Sequence, residues 1–582
     1  MAGSHQFALR ALEIHSAYIW DFSWVRRALD LAQRHGLNAL VLHQNDIVDR
    51  VVYPGALFGA SRAAGNVFER YAEIHRSLYT YTPLRRSEVY QHRDYIKRVI
   101  DVAGRAGIAV YFENKELCFP AVAAELNPQV FKRGALCPSE PFWWDLTTSK
   151  YRELLEDLPD LAGVIVSPGT RESHLSITSH RCPCEACAEM TAAHWYGELL
   201  SAMYEPLSLA GKRLVIRDFV FDKRAHDELA RTVAGMPADV AISFKNTPHD
   251  YYPTFPDNPR IGTVGSREQW IEFDCMGQYF GWGIAPAIMI EDMRTRLQRA
   301  RDKGVSGIML RTDWESLNSH SAFHTPNLIN LYAGARLGED LDADAIGIYQ
   351  TWLEEQNMLE PSAGEAERVE AARWAMKVLS PSWGAVRGAL FTNDCVFSDS
   401  SSFPVSLGHA WWLGEEKNSL KDWRPDKADA LRTNEDNVRA IIREKDAALR
   451  VVEGMLEAFG QERPKALTAE AHADLGIRLD LAYRYIEGFR WIGRACILAQ
   501  YVVDHRARSD AFSREVDALL AEALRELDRL ALEYRELAAT TDRPHPNYIL
   551  LSAERVELLR KNLAGALATA VPATPLTEAS PG

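Results

Sequence analysis

No apolar run in the chain approaches the roughly 18 residues that a membrane-spanning helix requires, so a transmembrane anchor of that kind is excluded. The opening residues, MAGSHQFALRALEIHS, lack the basic-then-apolar order of a secretory leader, and a cytoplasmic protein is expected. Cysteine is scarce. Eight in 582 residues exclude a dense disulfide framework and suit a reducing compartment. Positive charge is in deficit, with 66 Lys+Arg against 80 Asp+Glu and a net charge of −14, which argues against nucleic acid or an anionic membrane as the main partner. Local basic groups in so acidic a chain therefore become informative. What is abundant is core material: 47% hydrophobic residues and 15 Trp are enough for a large barrel and a second domain.

Eight apolar runs that turn polar at their carboxyl ends occur before residue 320: ALEIHSAYIW, ALVLHQND, AVYFENKE, GVIVSPGTRE, RLVIRDFVF, VAISFKNTP, QWIEFDCMGQ and GIMLRTDWE. Between them lie amphipathic segments such as SWVRRALDLAQRHG, YIKRVIDVAGRAG and MRTRLQRARDKG, each closed by a Gly suited to a helix C-cap. Strand, helix and Gly repeated in this way predict a parallel (β/α)8 TIM barrel over residues 1–335. The longest excursion, Ile47 to Tyr90, is rich in Tyr and Arg and reads as a loop over the mouth. From residue 336 to 570 the apolar residues recur at three-and-four spacing, as in LGIRLDLAYRYIEGFRWIGRACILAQYVVDH, and an all-α domain follows, part of it a candidate homodimer surface. Its aromatics, Tyr483, Tyr485, Phe489 and Trp491, read as helix packing. Residues 571–582, with their Pro, Ser and Thr, read as a disordered tail.

The loops after parallel barrel strands form the mouth where catalytic groups sit. ISFKNTPHDYYP, Ile242 to Pro253, is the most telling stretch, because an apolar strand runs straight into Lys245, Asn246, His249 and Asp250. The same Lys245 and Asp250 would also serve as an ion pair closing the strand. Other strand ends offer Glu13 and His15, His43 and Asp46, Glu113, Lys115 and Glu116, Arg171 and Glu172, Arg217 and Asp218, Glu272 and Asp274, and Asp313 and Glu315. Convergent carboxylates with aromatics from Tyr251, Tyr252, Tyr279, Trp282 and Trp314 have the composition of a carbohydrate site, since sugars present apolar faces to rings and hydroxyls to carboxylates. Glycoside hydrolysis needs one protonated and one ionised carboxyl group flanking the scissile bond. Most of the remaining carboxylates must be neutralised by neighbouring strand ends.

VAISFKNTPHDYYP followed by WIEFDCMGQYFGWG resembles the paired runs of the α-glucuronidases of glycoside hydrolase family 67, with the same interval from Asp250 to Glu272. RLVIRDFVF and GVIVSPGTRE are similar to two further strands of that family. The resemblance covers Ala39 to Glu315 and implies a barrel glycosidase removing a terminal α-linked uronic acid from short oligosaccharides by inversion, without a cofactor. It places the general acid on Glu172 and the base on Asp250, with Arg217 and Lys245 holding the uronic carboxylate. Asn246, Glu272, Asp274, Gln278, Tyr279, Asp313 and Glu315, from the same mouth, are the further candidate sugar ligands. Three departures stand out. A second base carboxylate of the family falls on Gln278, so Asp250 acts alone or with Asp274. A third cation falls on Pro168, with Arg171 its candidate replacement, and the family's N-terminal β-domain has no counterpart here. Two alternatives stay open: a barrel glycosidase for neutral or N-acetylated sugars, in which Arg217 and Lys245 only neutralise carboxylates, and a sugar-binding relative without catalysis.

HRCPCEAC, just beyond the proposed acid, brings His180, Cys182, Cys184 and Cys187 together. Three thiols and an imidazole could build a Cys3His structural zinc site, and a set of free buried thiols is the other reading.

Overall fold

The computed structural model describes residues 7–55, 83–125, 127–219, 223–317, 319–417, 419–505, 510–540 and 550–570. Eight strands close into a barrel: β1 Leu9–Ile14, β2 Ala39–His43, β3 Ala109–Glu116, β4 Gly163–Pro168, β5 Arg213–Arg217, β6 Ala241–Lys245, β7 Gln269–Asp274 and β8 Gly307–Arg311. All neighbours are parallel, and β8 closes on β1 with Leu9 opposite Gly307. These are the eight runs read from the sequence. The reason they were readable is that strands of a parallel barrel are buried on both faces and so remain apolar along most of their length.

Helices cover six of the seven strand-to-strand connections, among them α1 Phe22–Arg34, whose first turn is capped by the Asp21 carboxylate. The exception follows β6. From Asn246 to Glu268 the chain forms turns and no helix, and this irregular segment supplies much of the mouth. The barrel's lower interior is filled by a separate apolar cluster that includes Ala11, Val41, Tyr111, Ile165, Val215, Trp270 and Met309. Trp270 lies so close to Gly307 that a Cβ there would strike the indole, so β8 can start only with glycine.

The helix after β8, Leu328–Glu339, runs across the boundary at residue 335 inferred from the sequence. Beyond it the chain is helical, with long helices Glu435–Phe459, Ala469–Asp504, Ala511–Ala539 and Ala553–Ala570. Among the described residues of this region, strand structure is limited to a two-stranded pairing of Phe391–Thr392 with Cys395–Val396 and isolated bridges. Tyr485, Phe489 and Trp491 are buried in helix packing. Most of the excursion expected over the mouth, and the tail at 571–582, lie outside the described residues. Among the described residues no helix is long and apolar enough to cross a membrane.

Candidate active site

Above the apolar cluster the barrel interior turns polar in a single layer. The layer comprises Glu13, His43, Glu113, Ser167, Arg217, Ser243, Glu272 and Arg311, one from each strand and all buried. Most are joined in a chain of contacts. His43 Nδ1 meets Glu13 at 2.7 Å and its Nε2 lies 3.4 Å from Glu113, while Arg217 Nη1 reaches Glu113 at 2.8 Å. On its other side Arg217 holds Glu272, with Nε 2.8 Å and Nη2 2.8 Å from Oε2, and the Tyr251 and Ser243 hydroxyls donate to the same carboxylate at 2.9 and 2.6 Å.

Environment separates these carboxyl groups. Burial alone raises a carboxyl pKa; at Glu272 it is outweighed by the Arg217 guanidinium and the Ser243 hydroxyl, which hold the group below its ordinary value. At Glu113 burial wins over Arg217, and the carboxyl is pushed up to about 7. Burial, reinforced by Glu113, likewise raises Glu13, so the Glu13–His43 pair is best described as a neutral hydrogen bond. Glu13, His15 and His43 also come within metal-binding reach of one another. The two imidazoles are stacked with centroids 3.5 Å apart, however, so their in-plane lone pairs run side by side and do not converge on one ion.

The arrangement corrects the expectation for Arg217. Its side chain, 3% exposed, lies in this floor and is bound on both sides by protein carboxylates, so it does not reach out to a substrate anion. Arg217→Met should leave Glu272 and Glu113 as buried carboxyls without their counter-charge, at a cost of about 3–5 kcal/mol. Urea unfolding checks this, and a loss below about 1 kcal/mol would show that the floor does not depend on the ion pairs.

The mouth lies one layer higher. Lys115, at the end of β3, forms an ion pair with Glu172, whose side chain keeps 35% of its exposure on the loop after β4. Lys245, at the end of β6, holds Asp250 at 2.5 Å. Phe219 is close to both lysines, its ring centroid 3.9 Å from Lys245 Nζ and 5.4 Å from Lys115 Nζ. Glu172 and Asp250 are thus brought to one mouth from β4 and β6, each with its own lysine, and both lysines lie near one aromatic ring.

Asp250 is held closely. Its backbone is in the left-handed region at φ +47°, which Asp tolerates better than most residues, and Thr247 Oγ1 donates to its carbonyl at 2.5 Å. Burial pushes its carboxyl up, but Lys245, His249 and a hydrogen bond from Tyr279 together hold it well below the usual carboxylate range. Asn246 is buried beside it, its Oδ1 without a hydrogen-bond partner among the described residues.

The other expected sugar ligands divide. Asp274 accepts the backbone N–H groups of Met276, Gly277 and Gln278 at 3.1, 3.0 and 2.7 Å, so it caps its own turn and is not placed to act as a base. Gln278 accepts from Arg311 at 2.5 Å. Asp313 takes the His15 N–H at 2.5 Å and the Ser16 hydroxyl at 2.7 Å, and burial pushes it up to about 6. Glu315, paired with His15, stays 32% exposed at the rim, and Tyr279 is half-buried against Tyr252 with centroids 4.8 Å apart. Arg171, the candidate third cation, is exposed.

Several groups were not selected from the sequence as site residues. Lys115 and Phe219 stand at strand ends already read as polar, but their pairing across the mouth depends on register. The loop at Ser400 and Ser401 had no signal at all, because it comes from the helical region. Ser401 Oγ receives the Gly281 N–H and donates to the Gln278 carbonyl, both at 2.8 Å, and the Ser401 carbonyl is bonded by Tyr485. The Trp282 indole donates to the Ser400 carbonyl at 3.0 Å. Trp282 has φ +55°, a conformation a bulky side chain adopts at a cost of about 1–3 kcal/mol, and it is packed against Trp314 with centroids 5.0 Å apart.

No protein-family model matches the chain, and no curated protein does. The family 67 resemblance therefore rests on the quoted sequence runs. Among solved structures the fold is similar to that of a GH138 enzyme targeting pectin rhamnogalacturonan II, with a TM-score of 0.57 and 10% identity over 93% of this chain and 62% of that one. The chain thus spans less than two thirds of that enzyme's length. An O-GlcNAc hydrolase of Thermobaculum terrenum aligns over 97% of this chain and 95% of its own at 11% identity, with a TM-score of 0.42 that is too low to carry argument. What the likeness establishes is the fold, a TIM barrel followed by a helical region.

Proposed function

We propose that the chain is a glycoside hydrolase in which Glu172 protonates the leaving oxygen and Asp250 activates water, acting on a terminal sugar that carries a carboxylate. The observation that carries the reading is the pair of mouth carboxylates, Glu172 and Asp250, each held by a lysine that lies close to Phe219. The surroundings of Asp250 favour the ionised form, the form from which a general base starts. Two carboxylates arranged about a bound sugar with room for water would give inversion.

The uronic acid reading needs a different grip from the one expected at first, since Arg217 is engaged in the floor. Lys115 and Lys245 replace it as the groups within reach of a sugar carboxylate. The Lys115 ammonium must leave Glu172 before that carboxyl can carry a proton, and an anionic sugar that takes over Lys115 would bring this about. A neutral-sugar glycosidase is the second reading, favoured by the same engagement of Arg217 with Glu113 and Glu272.

Hydrolysis of aryl uronides, aryl hexosides and aryl N-acetylhexosaminides by the purified chain separates the two. Uronides are expected to be the best substrates, and Lys115→Met should lower their turnover by about ten- to a hundred-fold, the loss of one charge-assisted contact, with little change on hexosides. Preferred cleavage of hexosides would replace the uronate reading, and no cleavage in any class would remove the hydrolase.

A further inference from the structure

The geometry points to a structural Zn2+ held by four cysteines, Cys137, Cys182, Cys184 and Cys187, in which Cys137 takes the place the sequence offered to His180. The four Sγ atoms all lie within 4.8 Å of one another. Cys137 is 3.6 Å from both Cys184 and Cys187, and Cys182 is 3.2 Å from Cys184 and 3.4 Å from Cys187. Four sulfurs around one zinc, each at about 2.3 Å, have tetrahedral edges of about 3.8 Å. These four separations are slightly shorter than the edges one ion would set, and far wider than the roughly 2.05 Å of a disulfide.

His180 is not a ligand, because its Nδ1 accepts the Ser176 N–H at 3.1 Å and completes a turn. Cys137 instead arrives from the end of a hairpin formed by Phe131–Lys132 and Ala135–Leu136. Its backbone is fixed on both sides, the N–H bonded to the Val130 carbonyl and the carbonyl receiving the Trp143 indole N–H, each at 2.8 Å. Cys137, Cys182 and Cys187 are buried and Cys184 is half-buried, so the ion would be screened from water.

The surroundings suit thiolates. The Cys187 N–H points at Cys184 Sγ at 3.4 Å, Ser139 Oγ is 3.1 Å from Cys187 Sγ, and Arg181 donates to the carbonyls of Cys187 and Met190. Such contacts delocalise the negative charge that four thiolates leave on a divalent ion. On binding, each thiol gives up its proton to solvent as its S–Zn bond forms, and no redox partner is needed. The ion would join the hairpin to the segment that follows Glu172, which is itself tied to β3 by Ser173 Oγ on the Glu116 carbonyl at 2.8 Å.

The test is metal analysis of the full chain, a readout that does not depend on hydrolase activity. About one zinc per chain is expected by mass spectrometry, lost in Cys137→Ser and in Cys187→Ser and kept in His180→Ala. If the serine variants do not fold, growth of the wild-type chain with Co2+ answers the same question: tetrahedral thiolate-to-cobalt bands are expected, and a mercurial should release the metal in step with four thiols. A metal-free wild type with four freely titrating thiols, zinc retained by Cys137→Ser, or iron in the site would each overturn the assignment.

Discussion

Glu172→Gln is expected to lower turnover of a glycoside with a poor leaving group by roughly 10²–10⁴-fold, and to cost far less on an activated aryl glycoside, because only the first needs its leaving oxygen protonated. Gln keeps the shape and half-exposed position of the side chain while removing both its proton and its ion pair with Lys115. Release of Lys115 alone would strengthen a site for anions, so KM for a uronide should not rise, and the effect should appear in kcat. The measurement is kcat and KM on a series of leaving groups of one sugar. Equal losses across the series would take the proton-donor role away from Glu172 and direct attention to Glu113, the buried carboxyl pushed up to about 7. Glu113 is the less favoured donor because it has no exposed surface and sits below the lysine layer.

The barrel was legible because its physics is local. A strand buried on both faces is an apolar run, a helix laid on it repeats at three-and-four spacing, and both patterns survive in a single sequence. The carboxyl ends were legible for the same reason, since the change from apolar to charged residues marks where the interior opens. What the sequence left open is partner choice among inward-facing charges. Arg217 and Lys245 look alike as cations at adjacent strand ends, yet Arg217 lies in the layer with Glu113 and Glu272, whereas Lys245 lies above it with Asp250. Strand register sets that difference of one layer, and register follows from packing, for example of Trp270 over Gly307. Residues far apart in the chain were equally hidden. Cys137 and HRCPCEAC are joined by the fold, and Ser400 and Ser401 reach the mouth from beyond the barrel. Lys245 and Asp250 do close the strand as an ion pair, and that pairing also favours the ionised form of Asp250.

Asp250→Asn should lower turnover by roughly 10²–10⁴-fold on good and poor leaving groups alike, because water attack is needed whichever group departs. Asn tolerates the left-handed backbone that Asp250 adopts, so the variant should fold and the loss can be assigned to the carboxylate. Burial pushes the Asp250 carboxyl up, yet Lys245, His249 and Tyr279 outweigh it and hold the group well below the ordinary range. The sign follows directly. The folded state favours the ionised form, so this group contributes stability above the unfolded value of about 3.9 and loses it only as pH falls through the lower folded value. A base poised in this way stays competent in mild acid, and the acid limb of kcat/KM should not show an ordinary carboxylate. Lys245→Met removes the largest stabilising charge and should bring that limb up toward neutrality, with the wild-type rate approached only at higher pH. The anomer first released, followed by NMR during turnover, then fixes the role: inversion is expected of a base that activates water. Retention, together with an acid limb that Lys245→Met does not move, would transfer the second carboxylate role to Glu272, which Arg217, Tyr251 and Ser243 already hold in ionised form.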